Sequence, residues 1–373
     1  MRNALAACAI VAVLSSLCPC FVRADDAAAN PKEDGYRGIW FELGQKGKFG
    51  DKYSGGLGTY TANHAPMAIY AKDVNKTFFV FGGAKEGKQI LQAMVSYYDH
   101  ERDLVPRPTV VHDWQTADPP LREPNVNDPH DNPSLCIDGE GYVWIFVSGR
   151  NCFRLGLLYR GTKPYCIEKF ELVRAWEATY PQPWWIESRG LLLLFTKYTA
   201  GRELYWSFSR NGTRWSNDNC FAGFGGHYQS SSLIGGSVIT AFNVHPAGKL
   251  DERTNLYYLR TDDCGRTWKN VRGKAVQTPF DRIDNSAVVR DYLSEKRLVY
   301  IHDLNLDRQG RPLILNTTGG VKMPQFPRER SRGAFLFPLV PKTRSFPWSP
   351  SSAWEPIAST LRVGWQTSLA KFG

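Results

Sequence analysis

His64-Ala65-Pro66-Met67-Ala68-Ile69, followed by Phe78-Phe79-Val80-Phe81-Gly82-Gly83, recurs as His130-Asp131-Asn132-Pro133-Ser134-Leu135 followed by Trp144-Ile145-Phe146-Val147-Ser148-Gly149. From the His to the last Gly the spacing is 19 residues in both copies. Short runs of Val, Ile, Phe and Trp bounded by Gly, Asn, Asp and Pro read as strands. Each copy is therefore a strand, a tight turn (Asp73-Val74-Asn75; Asp138-Gly139-Glu140-Gly141) and a second strand. Long stretches with helical period are missing.

Weaker copies follow. Tyr180-Pro181-Gln182-Pro183 leads to Leu191–Phe195, His227-Tyr228-Gln229-Ser230 to Ser237–Phe242, and Asp284-Asn285-Ser286 to Arg297–Ile301. Successive units start 47 to 66 residues apart, the length of a four-stranded propeller blade with its loops. The octapeptide Thr261-Asp262-Asp263-Cys264-Gly265-Arg266-Thr267-Trp268 fits the Asp box, S/T-x-D-x-G-x-T-W, and Ser209-Arg210-Asn211-Gly212-Thr213-Arg214-Trp215 is a degraded version. In such a hairpin the Asp caps a tight turn, the Gly supplies an unusual dihedral and the Trp tucks between blade strands. The expected fold is all-β, a β-propeller of four-stranded blades over residues 25–318. Five units are few for ring closure, and the pattern stops near Gly319. An incomplete propeller is expected, from truncation or a shifted reading frame, with residues 319–373 as an atypical basic Pro/Ser-rich tail.

Residues 1–24 read as a secretory signal: Arg2 gives the positive start, Ala4 to Phe21 are apolar or small, and Val22-Arg23-Ala24 resembles a cleavage site. Secretion or export to a periplasm is expected, with no membrane span after cleavage near Ala24. Five cysteines remain (Cys136, Cys152, Cys166, Cys220, Cys264), an odd number without C-x-x-C spacing, which argues against a zinc cluster and a dense disulfide framework. The chain carries 46 Lys+Arg against 36 Asp+Glu, a formal charge of +10. Residues 319–373 contribute +6 of this, and Arg2 and Arg23 two more. The run of blades is nearly neutral, so nucleic acid is not an expected partner.

Tyr36-Arg37-Gly38-Ile39-Trp40-Phe41, the Gly-Thr-Tyr run before His64, the segment Asn127-Asp128-Pro129-His130-Asp131-Asn132-Pro133 and the Asp box together resemble secreted bacterial BNR-repeat proteins. The better-known relatives of that family are β-propeller polysaccharide lyases that cut ulvan. The resemblance covers about Gly35 to Leu315 and implies an acidic polysaccharide or oligosaccharide as partner, with no metal and no cofactor.

Cleaving a uronate glycan by β-elimination takes a base for the proton α to the carboxylate, a cation or strong donor for that carboxylate, and an acid for the leaving oxygen. By resemblance, His130 matches the lyase base, Tyr180 the tyrosine that precedes a proline, and Lys197 stands where the lyases carry Arg; these three are the expected catalytic group. A second lyase His falls on Arg150, which can bind a carboxylate or sulfate through two N–H groups but cannot act as a base. His64 repeats the place of His130 one unit earlier, and His227, Tyr228 and His245 fall in the fourth unit. With Arg150 and Asn132 they are the expected substrate-binding residues, because blade-start loops converge on one face. Each His also reads as a turn residue. Trp184-Trp185 offers either a sugar-stacking face or blade core. Two other readings stay open: a sialidase-like glycoside hydrolase, whose Phe-Arg-Ile-Pro-type signature Tyr36-Arg37-Gly38-Ile39 imitates poorly, and a glycan-binding propeller without catalysis.

Overall fold

The computed structural model describes residues 29–32, 46–47, 50–51, 64–84, 90–114, 126, 128–199, 201–246, 252–320 and 335–336. Residues 1–24 and most of 319–373 lie outside these, as does the Tyr36–Phe41 run. Apart from a two-stranded ribbon, β1 (Lys46–Gly47) and β2 (Gly50–Asp51), the chain forms a succession of antiparallel meanders. The first sheet is β3 (Ala68–Ala71), β4 (Lys76–Ala84), β5 (Leu91–Asp99) and β6 (Thr109–Asp113). The second is β7 (Pro133–Ile137), β8 (Val143–Val147), β9 (Gly156–Gly161) and β10 (Phe170–Trp176). The third is β11 (Thr179–Ile186), β12 (Gly190–Lys197), β13 (Glu203–Ser209) and β14 (Asn219–Ala222). In each, hydrogen-bonded neighbours are consecutive in the chain. Among the described residues helix is confined to short 3-10 turns such as Lys72–Val74 and Pro129–Asp131.

The fourth sheet runs β15 (Gly226–Ile234), β16 (Ser237–Val244), β17 (Thr254–Thr261), β18 (Trp268–Lys269) and β19 (Ala275–Val276), with β20 (Val288–Arg290) also on β17. The fifth is β21 (Arg297–Leu306), β22 (Pro312–Gly320) and β23 (Phe335–Leu336). This corrects the fifth unit of the sequence reading. The strand after Asp284-Asn285-Ser286 closes the fourth sheet, pairing Leu256 with Arg290 and Tyr257 with Val288. The fifth sheet starts only at Arg297.

First strands face one another across the seams. Leu135 N–H donates to the Pro66 carbonyl at 3.0 Å, and Ser134 Oγ to that of Pro181 at 2.7 Å. Gln182 Nε2 donates to the Gln229 carbonyl at 2.8 Å, and Ser232 Oγ to that of Leu304 at 2.8 Å. The first strand of each sheet thus contacts the first strand of the next, which is the radial packing of a β-propeller. Second strands are covered on both sides. Leu191, Leu192, Leu193, Leu194 and Phe195 are all wholly buried, and such a strand reads as an unbroken apolar run where a half-exposed one would alternate. Each of these side chains contributes roughly 1.5–3 kcal/mol by leaving water.

The Asp box forms as its residues dictate. Asp263 Oδ1 accepts from Thr267 N at 2.8 Å and Oδ2 from Thr267 Oγ1 at 2.7 Å, while Thr261 Oγ1 accepts from Gly265 N at 2.8 Å. Gly265 has φ +90°, and a Cβ there would stand 2.6 Å from the Trp206 ring of the third sheet. Trp268 is buried and stacks on Phe221 of that sheet with centroids 5.3 Å apart. The degraded box behaves alike one seam earlier: Asn211 Oδ1 caps Thr213 and Arg214 N–H, and the Trp215 edge meets Phe146 of the second sheet. Cys136, Cys152, Cys220 and Cys264 are free thiols, and Cys136, Cys166 and Cys264 are buried. Among the described residues no helix is long and apolar enough to cross a membrane.

Candidate functional site

Antiparallel order sends the starts of the first strands and the loops between second and third strands to the same end of the sheets. His64 precedes β3, Asp128–Asn132 precede β7, Tyr180 opens β11 and Tyr228 opens β15. Arg150 and Arg154 follow β8, Tyr198 and Arg202 follow β12, and His245 and Arg253 follow β16. Two β-bulges aim the tyrosines. Register shifts between Thr179 and Gln182 on β11 and between His227 and Ser230 on β15. Tyr180 and Tyr228 take φ of +53° and +49° there, a region that bulky residues occupy only where their surroundings hold them. Bulges re-aim side chains beside sites.

The resulting rings form a chain. His130 and Tyr180 lie 5.8 Å apart between centroids, His64 and Tyr180 5.6 Å, Tyr180 and Tyr228 5.7 Å, and Tyr228 and His245 5.3 Å. Guanidinium groups accompany them. Arg150 Nη1 approaches the Tyr180 hydroxyl at 3.5 Å. Arg253 sits 3.8 Å over the Tyr228 ring and 4.6 Å over Tyr300 of the fifth sheet. Arg202 Nη1 donates to His245 Nδ1 at 2.6 Å. His64, His130, Tyr180 and His245 are buried, whereas Arg150, Tyr198, Arg202, Tyr228 and Arg253 are partly exposed.

The electrostatics define protonation. Asp128 bonds His130 Nδ1 and also accepts from the His130 N–H at 3.1 Å. Burial works against the Asp128 charge, yet the hydrogen bonds and charge of His130 hold its carboxyl well below the usual range. Burial lowers His130 to about 4, against the pull of Asp128 and aided by Arg150 and His64. At neutral pH the pair is therefore a carboxylate and a neutral imidazole with its proton on Nδ1 and a lone pair on Nε2. His64 donates from Nε2 to the His130 carbonyl at 3.1 Å. Burial, with Arg202 and Arg253 nearby, lowers His245 to about 2, so it too is neutral. Arg154 binds Asp131 through two nitrogens and reaches Asp128 at 3.2 Å, which fixes the loop carrying His130.

His130, Tyr180, Arg150, His64, Tyr228 and His245 are thus brought together. Lys197 is not. It pairs with Asp218 at 2.7 Å and lies 5.2 Å from the Tyr205 ring, because alternation along the strand sends it to the opposite side from Tyr198, whose hydroxyl is influenced by Arg150 and Arg202. Asn132 is wholly buried in the seam with the first sheet, where a Cβ on Gly82 would fall 1.9 Å from its Oδ1; it packs the sheets together and does not line the open end. The His227 side chain lies outside the described residues. Asp128, Tyr198, Arg202 and Arg253 were not singled out from sequence. Their signal was positional: Tyr198, Arg202 and Arg253 occupy the loop after the second strand of their sheets, as Arg150 does. Among the described residues no group of three or more His, Cys, Asp or Glu side chains is placed to hold a metal ion.

Consecutive sheets with Asp-box seams and an aromatic, cationic site at one end define a β-propeller protein of the Asp-box class. The chain belongs to the BNR repeat-containing family, whose family model matches residues 92–326. It is 24% identical over 296 residues to an ulvan lyase of Nonlabens ulvanivorans, covering 68% of this chain and 60% of that protein; the chain thus spans about 60% of the length of the curated relative it matches. Among solved structures it resembles a PL25 ulvan lyase bound to -[GlcA(1-4)Rha3S]-, with a TM-score of 0.60 and 17% identity over 72% of this chain and 67% of that one. It also resembles the polysaccharide lyase Uly1, with a TM-score of 0.53 and 13% identity over 76% and 71% of the two chains. At these identities the structural likeness speaks to the fold.

Proposed function

We propose that this protein is an exported polysaccharide lyase that cleaves an acidic glycan by β-elimination at a uronate, the Asp128–His130–Tyr180–Arg150 group being its chemical centre. The observation that carries the reading is the Asp128–His130 pair: an ionised carboxylate fixing a neutral imidazole with its lone pair on Nε2 is what proton abstraction at neutral pH requires. In this reading Nε2 of His130 takes the proton α to the carboxylate. Arg150 binds the carboxylate and, as the charge spreads onto it, stabilises the enolate-like transition state. The Tyr180 hydroxyl, oriented by Arg150, returns a proton to the leaving oxygen. Arg202 and Arg253 extend the cationic surface toward neighbouring acidic units. Residues 1–24 serve as the export signal.

Most glycoside hydrolases use two carboxyl groups flanking the scissile bond, whereas the sialidase type uses a Tyr nucleophile. Asp128 and Asp131 are both engaged by Arg154, so the carboxylates of this group are committed to building the loop. A binding-only reading draws on the burial of His130, which is 1% exposed. Incubation with ulvan and other uronate glycans separates them. A lyase generates the ultraviolet absorbance of an unsaturated uronate product, and His130→Ala abolishes it. New reducing ends without that absorbance point to hydrolysis, and retention on the glycan without either product points to binding alone.

A further inference from the structure

At the other end of the sheets, a cavity of about 300 Å³ opens between the second and third sheets, lined by Asp138, Glu140, Arg160, Trp185, Arg210, Asn211 and Thr213. It lies on the side where first strands end: Trp185 follows Tyr180 by five positions on β11, roughly 17 Å along an extended strand. The cavity is therefore distinct from the group around His130.

Its walls are two rigid turns. In the β7–β8 turn, Asp138 accepts from Glu140 N at 3.0 Å, Tyr142 N at 2.9 Å and Trp144 Nε1 at 2.8 Å. In the β13–β14 turn, Asn211 Oδ1 accepts from Thr213 N and Arg214 N, both at 3.1 Å. Trp185 stands between them, half-buried, with the Gly139 backbone close to its ring: a Cβ there would meet it at 3.3 Å. Arg160 is held 3.5 Å over the Tyr142 ring and 5.3 Å from Trp144. Glu140, Arg210 and Thr213 are exposed at the rim. An indole beside hydroxyl, amide, carboxylate and guanidinium groups, with Asp138, Asn211 and Arg160 held in place, matches a molecule that has an apolar face and an equatorial belt of hydroxyls. A pyranose has both. Two carboxylates and two guanidiniums balance in charge, so hydroxyl recognition, not polyanion attraction, dominates. The volume lies at the lower end of the roughly 300–1,000 Å³ typical of ligand sites, enough for one or two sugar units. We propose that this cavity is a second carbohydrate-binding site, non-catalytic, that holds a pyranose unit of the polysaccharide against Trp185 while the distant cationic end works on another stretch of chain.

The inference rests on the glycan reading of the preceding section but not on its chemistry. Native electrophoresis through gels containing ulvan tests it, with turnover of short soluble ulvan fragments measured in parallel. Trp185→Ala is expected to weaken retardation by roughly threefold to tenfold, the worth of one aromatic stacking contact, and to leave turnover of the short fragments unchanged. Arg210→Ala, at an exposed position whose loss does not disturb the fold, weakens retardation in the same direction. Arg150→Ala abolishes turnover and keeps the Trp185-dependent retardation. Retardation that is unchanged in both Trp185→Ala and Arg210→Ala overturns the proposal, as does a wild-type protein that ulvan does not retard. Absence of turnover with Trp185-dependent retardation intact overturns the lyase reading and leaves this site standing.

Discussion

His130 owes its chemistry to one neighbour and to burial. Asp128 raises the basicity of the imidazole and burial lowers it, with burial winning at about 4. The acid limb of the pH–rate profile should fall near there, where His130 gains a proton and ceases to be a base. Asp128→Asn removes the charge that favours the imidazolium, so the limb should move to lower pH. Turnover should also drop, on the order of 10²-fold, because Nδ1–H is no longer held and the tautomer that leaves Nε2 basic is no longer enforced. A limb that moves to higher pH would show that Asp128 is not the ionised partner. His112 offers a separate check by stability. It is buried, bonded through Nδ1 to the Tyr159 hydroxyl at 2.9 Å, and lowered to about 4 by burial. Its unfolded form binds a proton below about 6.5, so the stability that its neutral form contributes is complete above that pH and is lost as pH falls toward 4. Thermal unfolding of His112→Gln should accordingly depend less on pH between 7 and 4 than that of the wild type. His130, Arg150 and Tyr180 were legible in sequence because they fall on positions of the lyase pattern that this chain resembles. Lys197 and Tyr198 are adjacent residues on opposite sides of the strand end, and only the observed phase of that alternation decides which of them faces the site.

Elements here are specified by their turns. Gly265 holds φ +90° with the Trp206 ring 2.6 Å from where a Cβ would stand, and Gly212 holds φ +75° with Trp144 at 2.4 Å. Alanine at either position combines an unfavourable dihedral with a clash against a packed ring. Chemical denaturation should show a loss of about 2–4 kcal/mol for Gly265→Ala. A loss below half a kilocalorie would mean that the Asp-box turn does not fix the seam. These hairpins were readable because the hydrogen bonds that shape their turns lie within eight residues. The bulges at Tyr180 and Tyr228 were not, since a bulge is a mismatch in register with a partner strand and leaves no local mark. The fifth unit was misread for the same reason. Val288–Arg290 has the composition of a strand, but its partner, β17, was chosen by long-range pairing.

Across the whole molecule, most of the +10 charge falls on residues 319–373, Arg2 and Arg23, and the repeat of inter-sheet contacts matters more. Gln182 is wholly buried at one seam, donating to the Gln229 carbonyl and accepting from Ser231 Oγ. Ser134 and Ser232 serve adjacent seams in the same manner. Every sheet is thus locked to the next through its innermost strand, and the site, assembled from five sheets, depends on all of these seams being closed. Gln182→Ala leaves a buried carbonyl and a hydroxyl without their partner and opens a small cavity, which costs about 2–4 kcal/mol. If the sheets act as one cooperative body, hydrogen exchange in this variant should accelerate in β11 and β15 together, and in β7 and β21 to a comparable degree. Because Tyr180 and Tyr228 sit on the two strands that Gln182 joins, turnover should fall with the protection of that seam. Faster exchange confined to β11, with β15 and β21 protected as before, would instead mean that the blades open one at a time.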